Sequence, residues 1–288
     1  MTSMASIITA HNVSFAYAGS ADLALTDLSF DILEGQFVML TGPTGSGKTT
    51  LLRLLQGLIP HFHRGTLEGK ILVDGIDTQQ SSIASSATRV GYVFQDPELQ
   101  VIGTTVERDV AFGLENLAIE PVIIKDAVQN ILQALSLVQL SDRHPSQLSG
   151  GQLRLVSLAS ILVMQPKILI LDEAVTYLDA KNVESLVEIL RILKQQGFTI
   201  IYSGHDLQHT LALADVLWVI ENGRLTHRGA PEDVFTNKKA AKTILVPPLV
   251  QSFLRLRKKR PEFQIPLPRN TSEALEWLTD NGLGLKTS

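Results

Sequence analysis

The chain has 288 residues, of which 44% are hydrophobic and 19% charged, enough for one large domain with an appendage or two modest domains. It has no cysteine, which excludes disulfides and cysteine-ligated metal sites, and its net charge of -4 gives no reason to expect nucleic acid as the main partner. Residues 1–10 lack the pattern of a secretory signal, and no apolar run approaches the ~20 residues that a spanning helix needs.

Short apolar runs alternate with longer helical patterns along the chain, which is typical of an α/β domain. Buried strands are predicted at residues 37–40, 70–73 and 90–94, and a helix at residues 49–58. Further on, the pattern predicts a helix at 153–164, a strand at 168–171, a helix with an apolar face between 183 and 193, and strands at 198–202 and 216–220. Asn222-Gly223 predicts a hairpin turn after the last strand.

Residues 97–147 have a different character, because apolar positions recur there at helical spacing. Helices are predicted at 106–116 and 125–138, so this segment is interpreted as a helical insertion between two parts of the sheet. Near residue 238 the regular pattern ends. Prolines such as Pro247, Pro248 and Pro261 are expected to break the tail into short helical pieces, the last at 271–278.

The chain is therefore divided into a main domain, 1–238, and a small C-terminal domain, 239–288. The tail carries a basic run at residues 255–260. We interpret that run first as a solvated helix face, then as a surface for anionic lipid headgroups or an acidic partner, and last as a nucleic-acid contact.

The run Gly42-Pro43-Thr44-Gly45-Ser46-Gly47-Lys48-Thr49 matches the phosphate-loop pattern G-x-x-x-x-G-K-[ST], between a predicted strand and a predicted helix. Its glycines let backbone N–H groups approach phosphates, and the next helix points its positive end at them. Lys48 is expected to reach the β- and γ-phosphates, Thr49 to bind Mg²⁺ and Thr50 to lie near the α-phosphate. The alternative is a glycine-rich turn that ends in an exposed lysine.

Asp172 and Glu173 follow an apolar strand directly, at the edge where doubly wound sheets bind ligands. Asp172 suits the second shell of Mg²⁺, and Glu173 is the candidate to polarise an attacking water. The alternative is a pair of surface carboxylates at a strand end.

Three other side chains could join this site, although each has an ordinary structural interpretation. Gln95 could place an amide near Mg²⁺ and the water, or be a solvated loop residue. His205 could contact the γ-phosphate and orient Glu173, and Tyr17 could stack on adenine or merely belong to a strand. His61 and His63 could be mistaken for a metal pair and are expected to be loop residues.

The segment Ser149-Gly150-Gly151 has a serine hydroxyl and exposed backbone N–H groups at a predicted helix start, which makes a second anion site. Two copies arranged head to tail would give each ATP both phosphate-binding surfaces. The alternative is a glycine turn that simply opens the helix.

With Leu148 and Gln152, this segment resembles the signature of ABC ATPases, and the resemblance extends over roughly residues 7–236. The resemblance implies that Tyr17 contacts adenine and that Gln95 lies in the transport-coupling loop. It also implies that Asp179 lies in the dimer-contact loop and that His205 is the switch histidine. The signature itself is formed by Ser149, Gly150, Gly151 and Gln152. The resemblance implies a P-loop NTPase core with an N-terminal antiparallel β subdomain. All catalytic positions are filled, so the resemblance implies an active ATPase that uses ATP and Mg²⁺.

Residues 93–100 and 107–116, and the tail at Pro247-Pro248-Leu249-Val250, are similar to the ATPases of energy-coupling factor transporters, which import vitamins or transition-metal ions. This implies a second ATPase partner, identical or related, paired partly through the C-terminal extension. It also implies an integral membrane partner that docks near 97–147 at the cytoplasmic face of the membrane.

Three local departures from the family pattern stand beside this resemblance. Residues 174–180 lack flanking prolines, Gly204 precedes His205, and Leu153-Arg154 follows the signature. Two rival functions are a soluble ABC ATPase acting on nucleic acid or in macromolecular assembly, and a regulatory ATP-binding module without turnover. Glu173 and His205 argue against the second rival.

Overall fold

A computed structural model describes residues 5–176, 178–260 and 265–281. Its strands are β1 (Ser6–Tyr17), β2 (Leu25–Leu33), β3 (Phe37–Thr41), β4 (Gly65–Val73), β5 (Ile76–Asp77), β6 (Val90–Val93), β7 (Ile168–Asp172), β8 (Thr199–Ser203), β9 (Val216–Glu221) and β10 (Arg224–Gly229). Its helices are α1 (Lys48–Gln56), α2 (Leu58–His61), α3 (Ile83–Ala87), α4 (Val106–Asn116), α5 (Pro121–Ala134), α6 (Gly150–Leu162), α7 (Ala180–Gln195), α8 (Pro231–Thr236), α9 (Ala240–Thr243), α10 (Pro248–Lys259) and α11 (Thr271–Asp280).

The larger sheet has the strand order β10-β9-β3-β8-β7-β6. All its strands are parallel except β10, which returns antiparallel to β9 through the predicted Asn222-Gly223 turn, whose two residues both have positive φ. Every residue of β3, β7 and β8 is buried, because a parallel sheet has helices on both faces. The carboxyl ends of β3, β6, β7 and β8 therefore meet at one edge of the sheet.

The smaller sheet is antiparallel, in the order β2-β1-β4-β5. Its buried residues share one hydrophobic cluster with α1 and with the buried faces of β3 and β9. This confirms the predicted N-terminal antiparallel subdomain and fixes α1 between the two sheets.

The helical insertion is also confirmed, and α4, α5 and α6 have a hydrophobic cluster of their own that includes Val110, Val128 and Val156. The predicted helix at 125–138 was misplaced, because α5 begins at Pro121 and ends at Ala134. A proline fits the first helical turn, where no intrahelical N–H bond is lost, and Ser136 has a left-handed φ of 57° beyond the helix end.

Two other predicted boundaries were wrong because capping residues decide them. The helix that leaves the phosphate loop ends at Gln56 and not at 58, since the N–H of Gly57, at φ 84°, bonds to the carbonyls of Arg53 and Leu54. The helix predicted from 153 begins at Gly150, since the Ser149 side chain accepts a hydrogen bond from the N–H of Gln152.

The C-terminal segment packs on the rest of the chain. Its buried residues Val250, Phe253 and Leu267 belong to the same hydrophobic cluster as Phe37 and Leu169 of the parallel sheet. Pro247 and Pro248 separate the short helix α9 from the twelve-residue helix α10, so the tail is broken there as predicted, and proline is favourable at the start of α10.

Some residues named in the sequence analysis lie outside the described ranges. They are Pro261, Tyr177 of the 174–180 segment, and residues 282–288 of the C-terminal domain. In the described part of the chain, no helix has the length and apolar character that crossing a membrane would require.

Candidate functional site

The phosphate loop joins β3 to α1 in a backbone path that needs glycine at two points. Gly42 has φ 149°, and a Cβ there would lie 2.0 Å from the carbonyl oxygen of Ile220. Gly47 has φ 107° and precedes the first residue of α1. Pro43, Thr44 and Gly45 form the exposed tip, so backbone N–H groups at the start of α1 can face an anion.

Lys48 is buried beneath this tip. Its Nζ donates to the carbonyl oxygens of Gly42 and Pro43, at 2.9 and 3.0 Å, and an ammonium has three donors. Burial lowers the pKa of the Lys48 ammonium, and the carboxylates of Glu173 and Asp172 oppose that shift. The loop thus holds a cation close to two carboxylates. The nearby Ser46 hydroxyl is buried without a hydrogen-bond partner.

Tyr17 and Thr50 are joined on the outer side of α1. The Tyr17 hydroxyl lies 3.0 Å from the Thr50 hydroxyl, and the half-buried tyrosine ring packs edge-on against Phe15 and His63. Tyr17 is the last residue of β1. It is therefore a strand residue whose ring stands near the phosphate loop, and both interpretations of the sequence are compatible with that position.

Asp172 ends β7 with both carboxylate oxygens held by hydroxyl groups. Tyr92 donates to Oδ2 at 2.9 Å and Ser203 donates to Oδ1 at 2.5 Å. Burial raises the pKa of the Tyr92 phenol, and the charge of Asp172 adds to that shift, so this phenol stays a donor. The carboxylate orientation is fixed at the edge of the sheet.

Glu173 follows with a left-handed φ of 49°, and its N–H bonds to the carbonyl oxygen of Ser203 at 3.0 Å. Its side chain lies between two predicted site residues. Gln95 Nε2 donates to Oε2 at 3.1 Å, and His205 Nε2 lies 3.0 Å from Oε1. Two residues that follow the neighbouring strands β6 and β8 therefore converge on the carboxylate that follows β7.

Thr49, Gln95 and Asp172 all line one cleft of about 910 Å³, which Gly150 and Arg154 of α6 also line. Hydroxyl, amide and carboxylate oxygens are the donors that Mg²⁺ prefers, and Mg²⁺ in nucleotide sites uses few protein ligands. Across the described residues, no cluster of three or more His, Cys, Asp or Glu side chains could hold a metal. His61 instead bonds the Thr78 carbonyl at 2.9 Å.

The family described as ABC transporter matches residues 25–176 of the chain. The chain is also 36% identical over 274 residues to the energy-coupling factor transporter ATP-binding protein EcfA1 of Lactobacillus johnsonii, covering 93% of this chain and 95% of that one. This chain belongs to the ABC transporter ATP-binding family.

Two solved structures have the fold of this ATP-binding cassette. One is cbiO1 from Clostridium perfringens, part of the ABC transporter complex cbiONQ, with TM-score 0.72, 30% identity and coverage of 90% of this chain and 99% of that one. The other is the cassette MJ0796, a dimer in a post-hydrolysis state bound to ADP and Pi, with TM-score 0.69, 25% identity and coverage of 77% and 98%. This chain is therefore an ATP-binding, ATP-hydrolysing transporter subunit.

The signature segment of this cassette is a capped helix start. Ser149 and Gln152 form a reciprocal capping box, with the Ser149 N–H donating to Gln152 Oε1 at 3.0 Å. Ser149 and Gly150 are exposed, while Gly151 is buried, and a Cβ there would lie 2.3 Å from Cγ of Asn182. Asp179 caps α7 beside it, and its carboxylate accepts the Asn182 N–H at 2.8 Å.

Four residues that were not predicted from the sequence support this site or the adjoining insertion. They are Tyr92 and Ser203, which hold Asp172, Asp109, which bonds the N–H groups of Ile102 and Gly103, and Arg154, whose role in the site the sequence did not show. Asp109 and Arg154 are charged residues at helical positions that are buried. Such a position is the one signal by which the sequence could have indicated these residues.

Proposed function

We propose that this cassette hydrolyses ATP at the edge of its parallel sheet and powers an energy-coupling factor importer of a vitamin or a transition-metal ion. The observation that carries the proposal is the convergence of Gln95 and His205 on Glu173, next to a phosphate loop whose lysine is buried beneath it.

The phosphates would lie over the loop from Gly42 to Thr49. Backbone N–H groups and the positive end of α1 face them, and Lys48 adds a full positive charge. Thr50 and Tyr17 lie on the nucleoside side in this proposal. Mg²⁺, when bound, supplies charge neutralisation on the β- and γ-phosphates, and Thr49, Gln95 and Asp172 are the residues that would hold it directly or through water.

Glu173 is the proposed general base. Gln95 and His205 hold its two oxygens from opposite sides, so the carboxylate cannot rotate away from the position of an attacking water. The His205 imidazole, at the end of the next strand, is also placed to sense the γ-phosphate. ATP hydrolysis requires mainly positioning and charge neutralisation, which these residues provide.

The signature residues Ser149, Gly150, Gly151 and Gln152, of which Ser149 and Gly150 are exposed, would face the ATP of a second cassette, either a copy of this chain or a related ATPase. The dimer of MJ0796 supports a paired arrangement. The C-terminal extension, residues 239–288, is proposed to assist this pairing, and nucleic acid is not a proposed partner.

The membrane partner is proposed to dock beside Gln95, at the mouth of the cleft and against the insertion 97–147. Phe62 and Leu99 are 68% and 78% exposed there, and a partner surface would remove this apolar area from water. Asp96 and Glu98 add negative charge to the same wall. A partner bound here would respond to movement of the Gln95 segment. Docking on this membrane partner would place the cassette at the cytoplasmic face of the membrane.

The importer class rests on similarity to EcfA1 and cbiO1. The test is a pull-down of the tagged chain from detergent-solubilised membranes, with Leu99→Glu as the docking variant and Leu23→Glu, an exposed leucine on the N-terminal sheet side, as control. We expect stoichiometric membrane proteins with the wild type and Leu23→Glu and not with Leu99→Glu. Recovery of only soluble partners or nucleic acid would support a soluble ABC ATPase instead.

A further inference from the structure

Arg154 is a buried arginine whose guanidinium forms no ion pair with a described carboxylate, although the charge of Asp96 opposes the effect of burial on its pKa. It is the fifth residue of α6, five residues after Ser149, and only 2% of it is exposed. Among the described residues it forms no ion pair, and its Nε has no acceptor. Burial lowers the pKa of its guanidinium. A buried cation without an ion-pair partner lowers stability, so such a residue is a candidate for a functional role.

The guanidinium has two acceptors, and both are backbone carbonyl oxygens of the segment that leaves β6. One N–H group bonds the carbonyl of Phe94 and the other bonds the carbonyl of Gln95. A planar guanidinium that bonds two successive carbonyls fixes their direction as well as their distance. The Gln95 backbone is therefore attached to α6 and not only to its own strand.

The Gln95 side chain continues this connection, because its amide donates to Glu173. At the other end, α6 begins with the exposed signature residues Ser149 and Gly150. A single chain of contacts thus runs from the signature helix through Arg154 and Gln95 to Glu173.

We propose that Arg154 is a positioning residue for ATP hydrolysis, which sets the place of the Gln95 amide against Glu173 and links that place to the signature helix. This inference rests on the roles proposed above for Gln95 and Glu173. It does not depend on which membrane protein the cassette drives.

The test is a double-mutant cycle on steady-state ATP hydrolysis by the full-length chain, with Arg154→Gln and Gln95→Ala. Gln95→Ala keeps the backbone carbonyl that Arg154 bonds and removes only the amide that reaches Glu173. We expect Arg154→Gln to lower kcat at least about tenfold with KM for ATP changed less than about threefold, and to lower kcat less than about twofold further in the Gln95→Ala background.

Arg89 is the matched control, because its guanidinium also bonds a backbone carbonyl, that of Ser85 at 2.7 Å, at the opposite end of β6. Arg89→Gln is expected to leave kcat within about twofold of the wild type in both backgrounds. If Arg154→Gln does not fold, Arg154→Lys, which keeps the charge but cannot bond both carbonyls in one plane, enters the same cycle.

A purely structural role would lower kcat equally in both backgrounds, and that result, or an unchanged kcat in Arg154→Gln, would overturn the proposal. The roles of Gln95 and Glu173 are checked separately by Gln95→Ala and Glu173→Gln alone. If either single variant keeps wild-type turnover, the site assignment fails; if both lose turnover and the cycle is additive, only the role of Arg154 fails.

Discussion

His205 Nε2 lies 3.0 Å from Glu173 Oε1, although the two residues stand at the ends of different strands. They meet because β7 and β8 are parallel neighbours, with Asp172 opposite Ser203, and because the left-handed φ of Glu173 turns its side chain toward the next strand. The contact joins a group that can orient a water to a group that can sense phosphate.

Glu173→Gln should abolish turnover and leave ATP binding intact, because an amide keeps the size of the carboxylate but cannot accept a proton. We expect a loss of about a hundredfold or more in kcat, in the range of general-base removal. Phosphate release and equilibrium ATP binding measure the two effects. Glu188→Gln, in an exposed pair with Arg191 on α7, is the control. Hydrolysis at the wild-type rate by Glu173→Gln would show that Glu173 is not the general base.

His205→Ala should slow hydrolysis by about tenfold or more, since Glu173 loses one of its two side-chain partners and the γ-phosphate loses a contact. His227→Ala removes a half-buried histidine of β10, whose ring contacts only the adjacent Thr226 hydroxyl among the bonds described, and should change nothing. The measurement is steady-state phosphate release at saturating ATP. Equal rates for the two variants would remove His205 from the mechanism.

Tyr17→Phe and Tyr17→Ala separate the strand role of this residue from a nucleotide role. Phenylalanine loses only the hydrogen bond to Thr50, so the free energy of unfolding should fall by about 1 kcal/mol, while the affinity for ATP changes less than about twofold. Alanine also loses the ring face, and stacking on a base is worth about 1–3 kcal/mol. Titration with ATP checks both variants, and equal affinity in both would leave Tyr17 as a strand residue alone.

Gly42→Ala should destabilise the fold by about 3 kcal/mol or more, because its Cβ would overlap the Ile220 carbonyl oxygen. Gly19→Ala is the matched control: Gly19 also has positive φ, of 82°, but open space around it, so only the backbone strain of about 1 kcal/mol remains. Chemical unfolding of the two variants measures the difference. Similar losses would mean that the loop can shift away from β9.

Asp109→Leu should lower the free energy of unfolding by about 3 kcal/mol or more, because three donors lose their acceptor. They are the N–H groups of Ile102 and Gly103 and the Ser160 hydroxyl. Asp109→Asn keeps an oxygen that accepts from the two N–H groups, and its amide N–H can donate to the Ser160 hydroxyl oxygen. Its free energy of unfolding should therefore fall by only about 1 kcal/mol. Urea unfolding measures both. If Asp109→Asn is as destabilising as Asp109→Leu, the negative charge itself is what the segment needs.

The chemistry of the site was predictable because its residues stand in short local motifs. Gly42 to Thr49, and the pair Asp172 and Glu173, each follow an apolar strand directly, and parallel strands bring such positions to one edge. The helical spacing of apolar residues also predicted the insertion, and the family resemblance implied the antiparallel subdomain. Neither inference required knowing which strands are neighbours.

The supporting contacts were not predictable, because they depend on strand order and register. Ser203 reaches Asp172 only because β8 lies beside β7 in that register, and Tyr92 does so from β6 on the other side. The division at residue 239 stays a prediction, whereas the break at Pro247 and Pro248 was predictable, because proline cannot continue a helix and favours the start of the next one.

The hydrophobic cluster that contains Phe37 of β3 also contains Ala274 of α11. At about 5–20 residues per second, a ribosome needs on the order of ten seconds to a minute to make the chain between them. During that interval the cluster lacks the part that the C-terminal helices complete, and nascent chains with exposed apolar surface aggregate readily. Synthesis of this cassette therefore leaves apolar surface exposed until the last helices emerge. Its yield in cells should depend on chaperone capacity and on how fast the final codons are translated.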